Sequence, residues 1–363
     1  MARRRGLRPP SSFASTPRAR NRNGESQTCS MRMERHPGSH FRSCACQMIS
    51  RSRSSRPARS RPSWTSSSPS TMLWRSRMND LRYRSSAGAL QIRDTYERLL
   101  RRYLPDAGQS VALTSIGEIT AITAGSPTAP PVVLLHGSGS TALSWAPTIL
   151  QLAESHHVHA FDLPGEPGRS TPTRVPFAAE DQARWVFEAH QQLIGAPAAY
   201  VGVSLGGWIA TAFAAHRPAQ VERLILHSSS GFGPRKIAPL VVAGLLAGLG
   251  EPGRKRALSY LTGPHRTDEA RTELQRQLDR YAMQTFAHFS PRTDKLPEHP
   301  TELLRNIRGR VTATFGAKDR MLDAVAAARR IRSTIPGADV ELRSHEGHLL
   351  SDQPHLTYRQ LTD

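Results

Sequence analysis

A serine in a glycine-rich turn is the first feature of this chain that could do chemistry. Ser204 lies in GVSLGG, directly after the apolar run AAYVGV and before the helix-like run LGGWIATAFAAH. A G-x-S-x-G sequence between a strand and a helix forms a sharp, strained turn that exposes the serine hydroxyl. Gly202 and Gly206 leave room for neighbouring backbone, and the helix N-terminus stabilises negative charge. The pattern predicts a nucleophilic Ser204, and the alternative is a glycine-rich turn with an incidental serine.

A second motif supplies hydrogen-bond donors for acyl transfer. The sequence HGSG begins at His136 and follows the strand-like run VVLL. Acyl transfer passes through a tetrahedral oxyanion, which two backbone N–H groups usually stabilise. We expect these donors to be the amides of Ser138 and of Leu205, the residue after the serine. His136 is expected to orient this loop by hydrogen bonds and not to act as a catalytic base.

A third turn, DLPGEPGRS, begins at Asp162 after the next strand. Asp162 is expected to have a structural role in this turn. Together the three motifs resemble the α/β-hydrolase fold superfamily, and the resemblance covers roughly residues 90–362. HGSG is similar to the family's oxyanion loop and GVSLGG to its nucleophile elbow. DLPGEPGRS is similar to its D-x-x-G-x-G-x-S turn but is one residue longer, as in a bacterial subgroup of capped, carboxylesterase-type serine hydrolases.

The resemblance implies an acid and then a histidine after the serine in chain order. The acid follows the seventh strand, where VTATFGAKDRML supplies Asp319, with Asp323 as a weaker alternative. The base follows the eighth strand, where the sequence offers His345 and His348. We choose His348 because it follows a glycine, as in the family's usual Gly-His pair. The expected catalytic set is therefore Ser204, Asp319 and His348.

The elements that position these residues alternate between apolar strand-like runs and amphipathic helices. Such alternation predicts an α/β fold with a mostly parallel, eight-stranded-type sheet and helices on both faces. A helical block at about 232–305 interrupts the alternation and is expected to form a cap. Strands are predicted at 110–116, 118–124, 132–135, 157–161, 198–203, 222–227, 311–315 and 338–343. Helices are predicted at 89–103, 142–153, 178–194, 205–216 and 321–333.

The charge of the chain is unevenly distributed. The 363 residues have a net charge of +20, but residues 1–86 hold 19 Arg and three acidic residues, so residues 87–363 carry only +4. Residues 1–86 are too poor in apolar side chains to form a core and are expected to be a disordered Arg/Ser-rich extension. This extension could be a transit peptide or a polyanion-binding arm. We favour a third reading, in which translation starts at Met72 or Met78.

Several other classes of function are disfavoured by the composition. All three cysteines lie in residues 1–86, so residues 87–363 form no disulfide. No histidine pair has zinc-site spacing, and we expect neither a metal nor another cofactor. No run is long enough to span a membrane, and no nucleic-acid-reading module is present. We expect a cytoplasmic protein, and its oligomeric state stays open. The apolar run 240–249 is expected to line an acyl pocket or pack on the body, in preference to facing a membrane.

The combined features favour a serine hydrolase that cleaves carboxylic esters of small molecules through an acyl-enzyme. A serine nucleophile disfavours the family members that use a carboxylate nucleophile. Thioesterase, lactonase, perhydrolase, C–C hydrolase and acyltransferase chemistries stay open. A non-catalytic small-molecule-binding protein on the same fold is the alternative from another class.

Overall fold

The computed structural model describes residue 80 and residues 82–263 and 271–363. The expected disordered extension therefore lies almost entirely outside the described residues. The three cysteines and both proposed start sites, Met72 and Met78, also lie outside them.

The described residues form one eight-stranded sheet in the order β1-β2-β4-β3-β5-β6-β7-β8. The strands β1 and β2 pair antiparallel, as do β2 and β4, and every other pair is parallel. The predicted mostly parallel α/β fold is confirmed. The strands are β1 Gly108–Thr114, β2 Gly117–Ala124, β3 Pro131–Leu135, β4 His157–Phe161, β5 Ala198–Val203, β6 Val221–His227, β7 Arg310–Gly316 and β8 Asp339–Arg343.

Helices cover both faces of this sheet. One buried cluster joins Trp185, Phe213 and Ile331 to the sheet, and the other joins Ile92 and Trp145 to its opposite face. Two buried faces explain why the central strands β3 and β5 are nearly continuous apolar runs. The helices are α1 Ser86–Tyr103, α2 Ala146–Leu152, α3 Ala179–Leu193, α4 Leu205–His216, α5 Ile237–Ala247, α6 Gly250–Thr262, α7 Glu273–His288, α8 Thr301–Leu304, α9 Ala324–Thr334 and α10 Gln353–Thr362.

The segment between β6 and β7 contains helices of two kinds. Helix α7 packs on the body, where Tyr281 is buried and lies edge-to-face with Tyr96 of α1. Helices α5 and α6 pack against each other, and Ala243 is the only residue of α5 that is fully buried among those described. In the run 240–249, Leu240 and Leu246 are half-buried. The large side chains Val241, Leu245 and Leu249 are exposed, so these three do not pack on the body, contrary to the expectation.

Residues before α1 are part of the packed body, although the sequence analysis assigned them to the extension. Arg82 and Tyr83 are buried. The Arg82 guanidinium donates to the Glu166 carbonyl oxygen (2.5 Å), and the Tyr83 hydroxyl donates to the Pro167 carbonyl oxygen (2.9 Å). Asp80 pairs with Arg82. The packed structure therefore extends at least to residue 80.

Candidate active site

Ser204 lies in a strained turn between β5 and α4. Its backbone has φ 52° and ψ −111°, a combination that non-glycine residues rarely adopt. The turn is held on both sides, because the Ser204 N–H donates to His227 O (3.1 Å) and its carbonyl accepts from Trp208 N (3.1 Å) and Ser230 N (3.2 Å). The surrounding backbone therefore maintains the strain and keeps the half-buried serine at the carboxyl edge of the sheet.

Two glycines allow this turn to pass close to neighbouring backbone. A Cβ on Gly202 would lie 2.5 Å from Gly207 N, and a Cβ on Gly206 would lie 2.1 Å from Leu135 O. Real Cβ atoms do not approach backbone so closely, so both positions require glycine. The reason given for glycine in the G-x-S-x-G motif is supported by these contacts.

Asp319 and His348 meet at the end of β7. Asp319 Oδ2 lies 2.7 Å from His348 Nδ1, and the two side chains are almost completely buried. The other Asp319 oxygen, Oδ1, accepts from the N–H groups of Met321 (2.7 Å) and Leu322 (3.0 Å). These bonds fix the carboxylate. A fixed carboxylate in turn sets the orientation and tautomer of the imidazole, so that Nδ1 carries a proton and Nε2 is free to accept one.

The two alternative residues lie elsewhere. His345 is exposed, and none of its described contacts is with Asp319. Asp323 caps the N-terminus of α9, where its Oδ1 accepts from Ala326 N (3.0 Å). The structure thus brings together the acid and the histidine that the sequence analysis preferred.

Ser204 lies at the same edge of the sheet as this pair. It follows β5 and Asp319 follows β7, with β6 between them, so the two strand ends are about 10 Å apart. The loop that carries His348 crosses the end of β7, because a Cβ on Gly316 would lie 2.0 Å from Gly347 O. Within the described residues, no hydrogen bond joins the Ser204 hydroxyl to the His348 ring.

The loop after β3 lies directly beside the serine. A Cβ on Gly137 would lie 3.6 Å from the Ser204 Cβ. Across the described part of the chain, the N–H groups of Ser138 and Leu205 donate to no other group. Leu205 is the first residue of α4, where helix N–H groups lack intrahelical partners. Two unoccupied donors near a serine can stabilise an oxyanion.

His136 holds this loop in place. Its Nδ1 lies 2.8 Å from Gly137 O, and its Nε2 accepts from Leu163 N (3.0 Å). These contacts assign the proton to Nδ1 and leave the ring neutral, and burial lowers the pKa of His136. The ring therefore links the β3 loop to the turn after β4, as expected for a structural histidine.

Glu166 is a site residue that the sequence analysis missed. It is fully buried, its Oε2 accepts from Gly139 N (2.6 Å), and both carboxyl oxygens lie 3.4 Å from the Ser138 hydroxyl. Burial raises the pKa of Glu166 above its usual value, against the effect of these hydrogen bonds. The one signal in the sequence was the extra residue in DLPGEPGRS, which lengthens the family's turn at this point.

Asp162 has a structural role in the same turn. Its Oδ1 accepts from Ala142 N (2.7 Å), and its Oδ2 accepts from the Tyr96 hydroxyl (2.9 Å) and Arg169 N (3.1 Å). Gly168 contacts it so closely that a Cβ would lie 2.3 Å from the Asp162 Cγ. Both carboxylate oxygens are thus bonded to groups that hold the loop, and the structural reading of Asp162 is supported.

Two kinds of feature are absent from the described residues. No group of three or more His, Cys, Asp or Glu side chains in that part of the chain could hold a metal ion. No helix there is both long and apolar enough to cross a bilayer.

The sequence model of the Alpha/beta hydrolase family matches residues 132–360. A carboxylesterase of Bacillus subtilis, YbfK, is 25% identical over 294 residues, which cover 78% of this chain and 96% of that protein. The uncharacterized carboxylesterase Nap of the same organism is 26% identical over 245 residues, covering 66% of this chain and 81% of its own length.

Solved structures share the fold. The crystal structure of the Bacillus subtilis carboxylesterase CesB (YbfK) superposes with a TM-score of 0.65 and 22% identity, covering 76% of this chain and 98% of the other. The crystal structure of the naproxen esterase of the same organism gives a TM-score of 0.64 at 22% identity, covering 75% and 96% of the two chains.

Proposed function

Since the chain belongs to the alpha/beta hydrolase family, we propose that it is a serine hydrolase that cleaves carboxylic esters of small molecules. The full-length similarity to a bacterial carboxylesterase supports this chemistry. We assign the nucleophile to Ser204, the base to His348 and the orienting acid to Asp319. The oxyanion donors are the N–H groups of Ser138 and Leu205.

The observation that carries the proposal is the buried 2.7 Å contact between Asp319 and His348, at the sheet edge where the strained Ser204 also lies. A neutral imidazole held by a carboxylate is the base that a serine hydroxyl needs, since the hydroxyl alone is a weak nucleophile. No other described histidine contacts a carboxylate at this edge.

In the acylation step, Ser204 Oγ attacks the ester carbonyl carbon while His348 Nε2 takes the hydroxyl proton. The carbonyl oxygen becomes an oxyanion, which accepts from the N–H groups of Ser138 and Leu205. The bond to the alcohol oxygen then breaks, and His348 gives its proton to that oxygen. Asp319 stabilises the imidazolium during both transfers and does not itself become protonated.

Water completes the reaction. It attacks the acyl carbon of the Ser204 ester while His348 Nε2 takes one of its protons, and the same two N–H groups again hold the oxyanion. When the acyl-oxygen bond to Ser204 breaks, the proton returns to Oγ and the free acid leaves. No metal or organic cofactor takes part in this proposed sequence.

A fluorophosphonate probe tests the nucleophile. It should form a covalent adduct at Ser204 and at no other serine, and Ser204→Ala should remove both the adduct and the hydrolysis of short p-nitrophenyl esters. We expect a loss of at least about 10³-fold in kcat/KM. Full turnover in Ser204→Ala would refute the assignment.

The two neighbouring histidines form a matched pair for the base. His348→Ala should lower kcat by at least about 10³-fold, whereas His345→Ala should leave kcat within about twofold, since exposed substitutions are usually mild. Circular dichroism should show both variants folded. A large loss confined to His345→Ala would reverse the assignment.

One observation favours a second candidate, a non-catalytic binding protein on the same fold. The Ser204 hydroxyl does not hydrogen bond to His348 among the described residues. This candidate predicts a protein that fluorophosphonate does not label but that still binds small esters.

We further propose that the protein works in the cytoplasm, because residues 80–363 contain no cysteine and need no oxidising compartment.

A further inference from the structure

Helix α5 presents an apolar stripe to solvent. Ile237, Val241 and Leu245 follow one another at i, i+4 spacing along α5 and are 73%, 56% and 72% exposed, and this spacing places them on one side of the helix. Leu249, which follows α5 and is the N-cap of α6, extends the stripe and is 70% exposed. Helix α5 contains no charged residue. An exposed apolar row of this length marks an interaction surface.

Four cations surround an open cavity between α6 and the loop after β7. Lys255 and Arg256 of α6 and Lys318 and Arg320 of the loop after β7 line a cavity of about 740 Å³ together with Pro252, Ser259, Tyr260 and Gly263. None of the four cations forms an ion pair with a described carboxylate, and Arg320 instead donates to the Tyr260 carbonyl. Glu251 is the only acidic residue of α6.

The stripe and the cations adjoin each other at both ends of the stripe. Leu249 is the N-cap of α6, so one end of the stripe directly precedes the helix that carries Lys255 and Arg256. At the other end of α5, the Lys236 ammonium donates to the carbonyl oxygen of Asp319 (2.8 Å). Asp319 stands between Lys318 and Arg320 in the sequence. The surface therefore adjoins the proposed active site.

Charge identifies the partner that fits this surface. A second copy of the chain that used the same face would bring this cation cluster against itself. Residues 1–79 are rich in arginine and would likewise be repelled. A bilayer with anionic headgroups supplies apolar depth for the stripe and negative charge for the cations, as for helices that lie in a membrane interface. We propose that α5 and the cation cluster dock the protein on an anionic lipid surface.

Vesicle sedimentation of the full-length protein tests the apolar part. Leu245→Asp should reduce binding to phosphatidylcholine–phosphatidylglycerol vesicles at least about tenfold. Leu113→Asp is the matched control, since Leu113 is 70% exposed on β1, at the other end of the sheet from β7. Both variants add one negative charge and keep the Arg-rich N-terminal residues. A difference in vesicle binding between them therefore reports the position of the substitution. Val241→Asp provides an independent second variant.

A charge-reversal pair tests the cation cluster. Lys255→Glu/Arg256→Glu should weaken binding to the anionic vesicles more than Arg305→Glu/Arg308→Glu, a control pair at the opposite, N-terminal edge of β7. Raised salt should reduce the difference between the two pairs.

Two outcomes would overturn the proposal. One is equal vesicle binding by Leu245→Asp and Leu113→Asp. The other is light scattering that shows a wild-type dimer which Leu245→Asp dissociates, since a second copy would then cover the stripe. The docking proposal does not depend on the proposed hydrolysis. Ser204→Ala should therefore bind vesicles as the wild type does.

Discussion

The loops around Ser204 and the helices α5 and α6 lie at the same edge of the sheet but are built in opposite ways. Around Ser204, polar groups are buried and paired, as in the bonds of Asp162, His136 and Glu166. On α5, large apolar side chains are exposed. The four cations that line the nearby cavity form no ion pair with a described carboxylate. The comparison indicates that one region fixes a geometry, whereas the other leaves its surface free for a partner.

The largest effect on stability is expected for a substitution at Gly206, in the tightly packed turn beside Ser204. Gly206→Ala places a Cβ 2.1 Å from Leu135 O, in a turn that cannot move without displacing the oxyanion loop. We expect a loss of more than about 4 kcal/mol in the free energy of unfolding, or failure to fold. Chemical denaturation measures this. A loss under about 1 kcal/mol would show that the turn is less rigid than described.

Acid should destabilise the tightly packed body through its buried histidines. Burial lowers the pKa of His227 to about 4 and that of His299 to about 3, from an ordinary value of 6.5. The unfolded chain therefore binds these protons first as the pH falls. Their contribution to the unfolding free energy is fully present above pH 6.5 and is lost as the pH falls to about 4 for His227 and to about 3 for His299. For His227 the loss is about 3 kcal/mol.

Urea denaturation at several pH values tests this prediction. His227→Gln should flatten the decline in unfolding free energy between pH 6.5 and 4, while His345→Gln, at an exposed position, should not. Equal pH dependence in wild type and His227→Gln would contradict the assignment to His227.

Glu166→Gln should lower the activity without lowering the stability. If its carboxylate positions the Ser138 N–H by holding Gly139, Glu166→Gln should lower kcat about tenfold with little change in KM. Because burial raises the pKa of Glu166, the folded state disfavours its charge, so the neutral side chain should not lower stability at pH 7. Parallel loss of stability and activity would indicate a merely structural role.

The smallest effect is expected in α5. A Cβ on Gly244 would meet no atom within 4 Å, so Gly244→Ala should stabilise the helix by about 0.5–1 kcal/mol. A matched melting experiment with Gly206→Ala would show opposite signs in the two regions. Destabilisation by Gly244→Ala would mean that the outer face of α5 is more crowded than described.

Much of the body could be predicted from sequence because its elements are buried on both sides. The bounds of β4, β5 and α4 were predicted to the residue, and β5 and α4 coincide with nearly continuous runs of apolar or small residues. The predicted helix 142–153 begins instead as a 3-10 turn, and the α-helix starts only at Ala146, with Pro147 in its first turn. The predicted helix at 321 starts at Ala324, since Asp319 accepts from the N–H groups of Met321 and Leu322.

The rest depended on contacts between distant parts of the chain. Glu166 stands between a glycine and a proline in a turn, a context typical of an exposed carboxylate. It is buried because residues distant in the chain, such as Arg82 and Gly139, pack against it. Helix α10 was missed. The exposure of α5 could not be predicted either, because a purely apolar helix is normally buried. The roles of Ser204, Asp319 and His348 stay predictions.

The bonds from Arg82 and Tyr83 have a consequence for where this chain could be shortened. Both donors precede α1, yet they bind carbonyl groups 84 residues further along the chain. A chain cut to begin at Ser86 would keep every helix and strand described and still lose both donors. Damage at that cut would therefore appear first as slower ester turnover, through the peptide that carries Glu166, before any loss of secondary structure.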